Sequence, residues 1–178
     1  KAGRRYDIIV SEPSNPWVAG VASLFTEEFY AQAARRLNEG GVLAQWIQAY
    51  EFDARLLGSI VAAVRTAFPD VALYNTAGTD IIMIASRGGE VRPDASSLFA
   101  HPALAARLAH IGVATPADVA RRGVIGFRRL DAMFADADVR PNSDYFPFVD
   151  VHAPAARFRG SRVDVAMELS DAPVPIRD

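Results

Sequence analysis

The chain has 178 residues, of which 51% are hydrophobic and 22% are charged, with 12 Gly, 11 Pro and no Cys. This composition is that of an ordinary globular domain and excludes collagen-like, disordered and disulfide-stapled proteins, as well as thiolate zinc sites and cysteine nucleophiles. The 19 basic and 21 acidic residues give a formal net charge of -2 and are scattered along the chain, so we expect no nucleic acid partner.

The chain opens with a predicted strand, loop and helix. Residues 6–10 (YDIIV) are nearly continuous in apolar character and rich in β-branched side chains, as in a strand buried on both faces of a parallel sheet. Pro13 and Pro16 then exclude both ladder pairing and helix, which predicts a loop at the carboxyl end of that strand. Thr26 is a candidate N-cap for a helix of about three turns, with Gly40-Gly41 as its C-cap.

The next part of the chain predicts an α/β fold. Residues 42–47 form a second strand, and a second amphipathic helix begins near Asp53. Residues 71–76 and 80–87 are two further strands, and the connection between them is too short for a parallel crossover. The prediction is therefore a sheet of about four strands that ends in an antiparallel hairpin.

The remainder of the chain predicts short helices followed by a proline-rich tail. Residues 94–112 and a short helix capped by Thr115 predict a helical subregion, continued by an amphipathic stretch at 127–134. Five prolines then indicate an extended tail with one strand, residues 146–151. The expected regions are 1–89 for the α/β part, 90–139 for the helical extension and 140–178 for the tail.

The first loop carries the best candidates for chemistry. Open α/β sheets bind ligands outside the carboxyl ends of their strands, and Glu12, Asn15 and Trp17 follow the first strand. A carboxylate and an amide accept hydrogen bonds from an amine, and an indole covers an apolar or cationic face. Ordinary turn chemistry with a solvated Glu12 explains the same residues, so the spacing alone leaves both interpretations open.

The motifs at residues 6–16 (YDIIVSEPSNP), 23–30 (SLFTEEFY) and 40–43 (GGVL) resemble the spermidine synthase family in content and order. The resemblance extends through residue 87, about half of the chain. The loop SEPSNPW and the tail NSDYFPFVD at 142–150 are similar to bacterial proteins in which such a domain is fused to membrane spans. The resemblance implies the C-terminal half of a Rossmann-like, S-adenosylmethionine methyltransferase-type sheet, beginning at its fourth strand.

The resemblance also implies an activity: transfer of an aminopropyl group from decarboxylated S-adenosylmethionine to a small-molecule amine. By position, Glu12 corresponds to the acid that receives the proton of the attacking amine, while Asn15 stands where the family has a second acid. Trp17 would be a wall of the site, and Gln45 and Gln48 would line the same crevice.

Two departures separate this chain from the family. The loop between the last two strands is reduced to residues 75–79, which weakens the expectation of a polyamine acceptor. The glycine-rich turn that binds the nucleoside is not found in the chain, so we expect no cofactor site, no metal site and no activity in this chain alone. The alternatives are an S-adenosylmethionine-dependent N-methyltransferase, since Asn15-Pro16-Trp17 resembles that class, and a non-catalytic ligand-sensing or assembly domain.

The first strand also predicts a partner. It would lie in mid-sheet in an intact relative, so here it leaves an apolar edge on which a second copy of the chain could pair. The expected location is the cytoplasm, or the cytoplasmic face of the inner membrane for a parent with membrane spans.

Overall fold

The computed structural model describes residues 3–76, 80–89, 91, 95–121, 124–125 and 139–161. Its centre is a mixed sheet whose strands are β1 (Tyr6–Ser11), β2 (Leu37–Gln48), β3 (Asp70–Asn75), β4 (Asp80–Ser86) and the two-residue β5 (Val124–Ile125). The spatial order is β1-β2-β4-β3-β5. β1 and β2 are parallel, and the other neighbours are antiparallel. The α/β fold, the four main strands and the β3–β4 hairpin are therefore confirmed.

A 3-10 turn and six α-helices accompany the sheet in the described part of the chain. They are the 3-10 turn Val21–Phe25, α1 (Glu27–Arg36), α2 (Ala54–Arg65), α3 (Ser96–Phe99), α4 (Pro102–His110), α5 (Pro116–Ala120) and α6 (Phe148–Arg159). Side chains cap three of these helices at their N-termini, and the caps at Thr26 and Thr115 were predicted from the sequence. The Thr26 hydroxyl accepts from the Phe29 N–H, Asp53 accepts from two N–H groups of α2, and Thr115 forms a capping box at α5.

The predicted C-cap at Gly40-Gly41 is wrong. Helix α1 ends at Arg36, and both glycines lie inside β2. The β1–β2 register jumps here, from Tyr6 opposite Leu37 to Ile8 opposite Val42, so this part of β2 is bulged. Gly40 has a φ of 73°. The Gly40 backbone lies against Gly88, and a Cβ added to Gly88 would be only 2.8 Å from the Gly40 Cα.

The predicted strand at residues 146–151 is also wrong, because α6 begins at Phe148. Val149, Ala153 and Ala156 are buried and recur at helical spacing, which packs one face of α6 on the core. Pro154 lies inside this helix, where it costs one backbone hydrogen bond but does not end the helix. Burial of one helical face thus prevails over the proline-rich local sequence.

The region after the sheet is only partly described. The single helix predicted at 94–112 is divided into α3 and α4, and the amphipathic stretch predicted at 127–134 lies outside the described residues. β5 adds a short strand to the sheet beside β3.

The hydrophobic core lies between one face of the sheet and helices α1, α2 and α6. Its largest fully buried side chains are Tyr30, Phe25, Phe52, Phe68, Leu37, Leu43, Ile47, Leu56, Leu57, Ile60, Leu73 and Ile81. By contrast, Ile8 and Val10 of the edge strand β1 are 61% and 73% exposed. No helix among the described residues is long and apolar enough to cross a membrane.

Candidate functional site

The candidate site lies where β1 and β2 end. The two strands run parallel, and Ser11, the last residue of β1, is opposite Gln45 near the end of β2. Parallel strands bring their carboxyl ends to the same edge of a sheet, so the loops at residues 12–20 and 49–53 leave the sheet together. This edge carries all five residues predicted from the sequence.

The first loop is held by buried prolines and a turn. Pro13 and Pro16 are buried, and the Val18 N–H donates to the Asn15 carbonyl at 2.9 Å. Glu12 is exposed between β1 and this turn. The carboxylate is therefore free to meet a ligand from solvent, while its backbone is fixed by the strand before it and the proline after it.

Asn15 and Trp17 are joined by Tyr50 from the second loop. The Tyr50 hydroxyl donates to Asn15 Oδ1 at 3.4 Å, and the Trp17 and Tyr50 rings meet edge to face with centroids 6.4 Å apart. The Asn15 side chain keeps its two Nδ2 donors, and a second acceptor position on Oδ1, for a ligand. The sequence pattern placed Asn15 and Trp17 together, and the tertiary structure adds Tyr50.

Helix α6 also contacts Trp17. The Arg157 guanidinium carbon lies 5.3 Å from the centre of the Trp17 ring, within cation–π range. Arg157 Nε is also 3.7 Å from Glu51 Oε2. Glu51 has a φ of 52°, an uncommon conformation for a residue with a side chain, and the Phe52 N–H donates to the Ser161 carbonyl at 3.0 Å. The second loop is thus attached to the end of α6.

Gln45 is completely buried, and its amide is fully engaged inside the protein. Its Oε1 accepts from the Tyr30 hydroxyl at 2.6 Å, and its Nε2 donates to Ser11 Oγ at 3.2 Å and to the Leu24 carbonyl at 2.9 Å. Burial raises the pKa of Tyr30 well above its ordinary value, so the phenol remains a hydrogen-bond donor. Gln45 therefore fixes the end of β1 against the 3-10 turn.

Gln48 is completely buried, and neither polar atom of its amide bonds to any part of the chain that the structure describes. Strand alternation puts it on the face of β2 opposite to Gln45. A buried amide without partners is costly and calls for an explanation such as a bound polar group or a water molecule.

Three functional candidates were missed in the sequence. Tyr50 and Glu51 follow β2 as directly as Glu12 follows β1, so the strand-end rule that selected the first loop could have found them. Arg157 gave no local signal, because it reaches Trp17 only through the packing of a helix that the sequence did not predict.

Comparison with known proteins gives two partial similarities. No family model matches the chain. Over 76 residues the chain is 36% identical to the polyamine aminopropyltransferase of Pyrobaculum calidifontis. These residues make up 42% of this chain and 26% of that protein. The chain thus spans about a quarter of the length of the curated relative that it matches. A crystal structure of a methyltransferase from Pyrococcus furiosus is 20% identical, with a TM-score of 0.39 over 49% of this chain and 44% of that one.

Over part of its length, then, the chain is a distant relative of a polyamine aminopropyltransferase.

Proposed function

We propose that the chain forms the acceptor side of a transferase that moves an aminopropyl group from decarboxylated S-adenosylmethionine to an amine. The observation that carries the proposal is Glu12, an exposed carboxylate directly after β1, beside a loop whose Asn15 and Trp17 are held in place by Tyr50. The partial similarity to a polyamine aminopropyltransferase supports this reaction class over others.

The chemistry requires a neutral amine at the moment of attack. The nitrogen lone pair forms a bond to the propyl carbon next to the sulfonium sulfur, the carbon–sulfur bond breaks, and its electron pair remains on sulfur as a thioether. Glu12 takes one proton from the bound ammonium before the attack, which makes the nitrogen neutral, and the alkylated product leaves as an ammonium. A carboxylate within hydrogen-bond reach both orients the amine and receives this proton.

The other residues have distinct parts in this proposal. Gln45 is a positioning residue, because its hydrogen bonds to Ser11 and Leu24 are satisfied within the protein. Trp17 offers an indole face to the alkyl chain of the amine. Gln48 offers the buried amide that lacks a partner among the described residues.

The donor is proposed to bind residues outside this chain. Gly40 and Gly88 pack against each other near the start of β2, at the end of the sheet remote from Glu12. Among the described residues, neither glycine is followed directly by a helix that could receive a nucleoside in the manner of a glycine-rich turn.

The proposal is tested by assaying the full-length protein with decarboxylated S-adenosylmethionine and a panel of primary amines. We expect an aminopropylated amine, detected by mass spectrometry. Glu12→Gln should lower kcat by roughly 10²- to 10⁴-fold, the usual contribution of a general base. Glu39→Gln is the matched control, because Glu39 is an exposed acid in the bulge at the start of β2 and should not affect turnover.

The two alternatives have different outcomes in the same assay. A methylated amine formed from S-adenosylmethionine, without any aminopropylated product, would identify an N-methyltransferase. Binding of donor and amine without turnover would identify a non-catalytic domain. Full activity of the Glu12→Gln protein would contradict the proposed role of Glu12.

A further inference from the structure

The amine site contains a resident cation, Arg157. Its guanidinium lies over Trp17, the residue proposed to cover the acceptor, with 5.3 Å between the guanidinium carbon and the ring centre. The Arg157 side chain is 54% exposed and can be reached from solvent. Resting on the proposed function, we propose that the acceptor is a monoamine with a carboxylate at its other end, and that Arg157 binds that carboxylate.

The polar groups around Trp17 support an anionic partner rather than a second ammonium. Asn15 is neutral, and besides the oxygen that accepts from Tyr50 it has two Nδ2 hydrogens that can donate to an anionic group. Arg157 has only donors, and its planar fork matches a carboxylate in two parallel hydrogen bonds. The Arg157 donors lie over Trp17, and Asn15 is linked to the same ring through Tyr50, so the cationic and neutral donors of this site suit a carboxylate better than a second ammonium.

Glu51 does not cancel this preference. It meets Arg157 only at Nε, at 3.7 Å, and its own side chain is 39% exposed. An ion pair of this length and exposure is weak, and it leaves the two terminal nitrogens of the guanidinium for a ligand.

The position of Arg157 is set by the packing of α6 on the core and by the contact of α6 with the second loop. Ala153 and Ala156, on the same helix, are buried in the core, and the Ser161 carbonyl holds the second loop through Phe52. The guanidinium is therefore presented from a packed helix to a loop that is itself attached to that helix. A diamine would bring its second ammonium toward a fixed positive charge, whereas an amino acid would bring a complementary one.

Three four-carbon ligands with the same primary amine test the inference: 4-aminobutanoate, n-butylamine and 1,4-diaminobutane. The chain has two tryptophans, so a Trp46→Phe background leaves Trp17 as the reporter, and its emission follows binding to the full-length protein. We expect 4-aminobutanoate to bind at least about tenfold more tightly than n-butylamine, and 1,4-diaminobutane to bind most weakly. Isothermal titration calorimetry on the unmodified protein provides the same ranking independently of the background substitution.

Arg157→Gln should abolish the preference for 4-aminobutanoate over n-butylamine. Arg159→Gln is the matched control, since Arg159 is an exposed arginine two positions further along the same helix and should leave the preference intact. A wild-type protein that binds 1,4-diaminobutane as tightly as 4-aminobutanoate, or fails to bind 4-aminobutanoate at millimolar concentration, would overturn the inference. An unchanged preference in Arg157→Gln would do so as well.

The experiments distinguish a failure of the proposed ligand class from a failure of the proposed aminopropyl transfer. If 1,4-diaminobutane is aminopropylated and Arg157→Gln has no effect, the acceptor class is wrong and the reaction stands. If the preference for 4-aminobutanoate depends on Arg157 but no aminopropyl transfer occurs, the reaction is wrong and the ligand class stands.

Discussion

At the scale of single residues, the site depends on a polar pair inside the core. The Tyr30 hydroxyl donates to Gln45 Oε1 at 2.6 Å, and both side chains are completely buried. Gln45 in turn holds Ser11, the residue before Glu12, so a core hydrogen bond reaches the proposed base in three steps. The pair therefore contributes both to stability and to the position of the strand end.

Tyr30→Phe should lower the free energy of unfolding at about pH 8 by about 1–3 kcal/mol, because Gln45 Oε1 would lose its donor in a buried environment. The pKa of Tyr30 is raised in the folded state, so its contribution is complete below the unfolded pKa of about 10 and is lost as the pH rises above that value. The variant should therefore lose less stability than the wild type between about pH 9.5 and about pH 11.

Urea denaturation of the wild type and of Tyr30→Phe measures the loss of stability at about pH 8 and the change in stability between about pH 9.5 and about pH 11. Tyr74 also has a raised pKa, through burial and the charge of Asp70, but it is present in both proteins and cancels in the comparison. Equal free energies of unfolding and equal pH dependence for the two proteins would show that the hydrogen bond is not important.

At the scale of elements, Asn142 connects the helices that support the site. Its Nδ2 donates to the Phe25 carbonyl at 3.0 Å and to the Ala22 carbonyl at 3.4 Å, and its Oδ1 accepts from the Val149 N–H at 3.0 Å. Its backbone N–H donates to the Ser59 carbonyl of α2 at 3.2 Å. The side-chain amide of Asn142 thus joins the 3-10 turn to the start of α6, and its backbone attaches the same residue to α2.

Asn142→Ala should lower the free energy of unfolding by about 2–4 kcal/mol, because it would leave buried backbone groups of two elements without partners. Asn38→Ala is the matched control: its amide bonds to Asp7 near the surface, and its loss should cost less than about 1 kcal/mol. Urea denaturation of both variants gives the comparison. Similar losses for the two substitutions would contradict the connecting role of Asn142.

The same elements show what local sequence could and could not predict. The starts of α1 and α2 were predictable, since Thr26 and Asp53 cap them with side chains next to the helix in sequence. Helix α6 was not predicted, because its prolines indicate an extended tail and its stability comes from packing on α2. Arg157 and Asn142 were missed for the same reason, as both act through contacts with residues more than a hundred positions away.

At the scale of the whole molecule, β1 is the exposed edge of the described sheet. Its outer face carries Tyr6, Ile8 and Val10, which are 42%, 61% and 73% exposed. An antiparallel copy paired about Ile8 would place Tyr6 opposite Val10 and Ile8 opposite itself, so that apolar side chains meet on one face. The pairing of two copies predicted from the sequence thus has a self-complementary register.

Val10→Lys should convert a dimer of this chain to a monomer, because a charged side chain on an edge strand opposes pairing. Val18→Lys is the control, since Val18 is an exposed valine in the loop after β1 and lies outside the edge. Sedimentation velocity of the three proteins at equal concentration measures the change. A monomeric wild type, or a Val10→Lys protein that still dimerises, would rule out this edge as the interface.

The sequence by itself determined the order of strands and helices up to the β3–β4 hairpin, the loop at the end of β1, and Glu12, Asn15 and Trp17 as neighbours there. These features depend on alternation, proline and capping, which act over a few residues. Only the tertiary structure decided that Gln45 is committed to the core and Gln48 is buried without a described partner. It also decided that Arg157 lies over Trp17, because burial and charge at the site depend on helices that pack from distant parts of the chain.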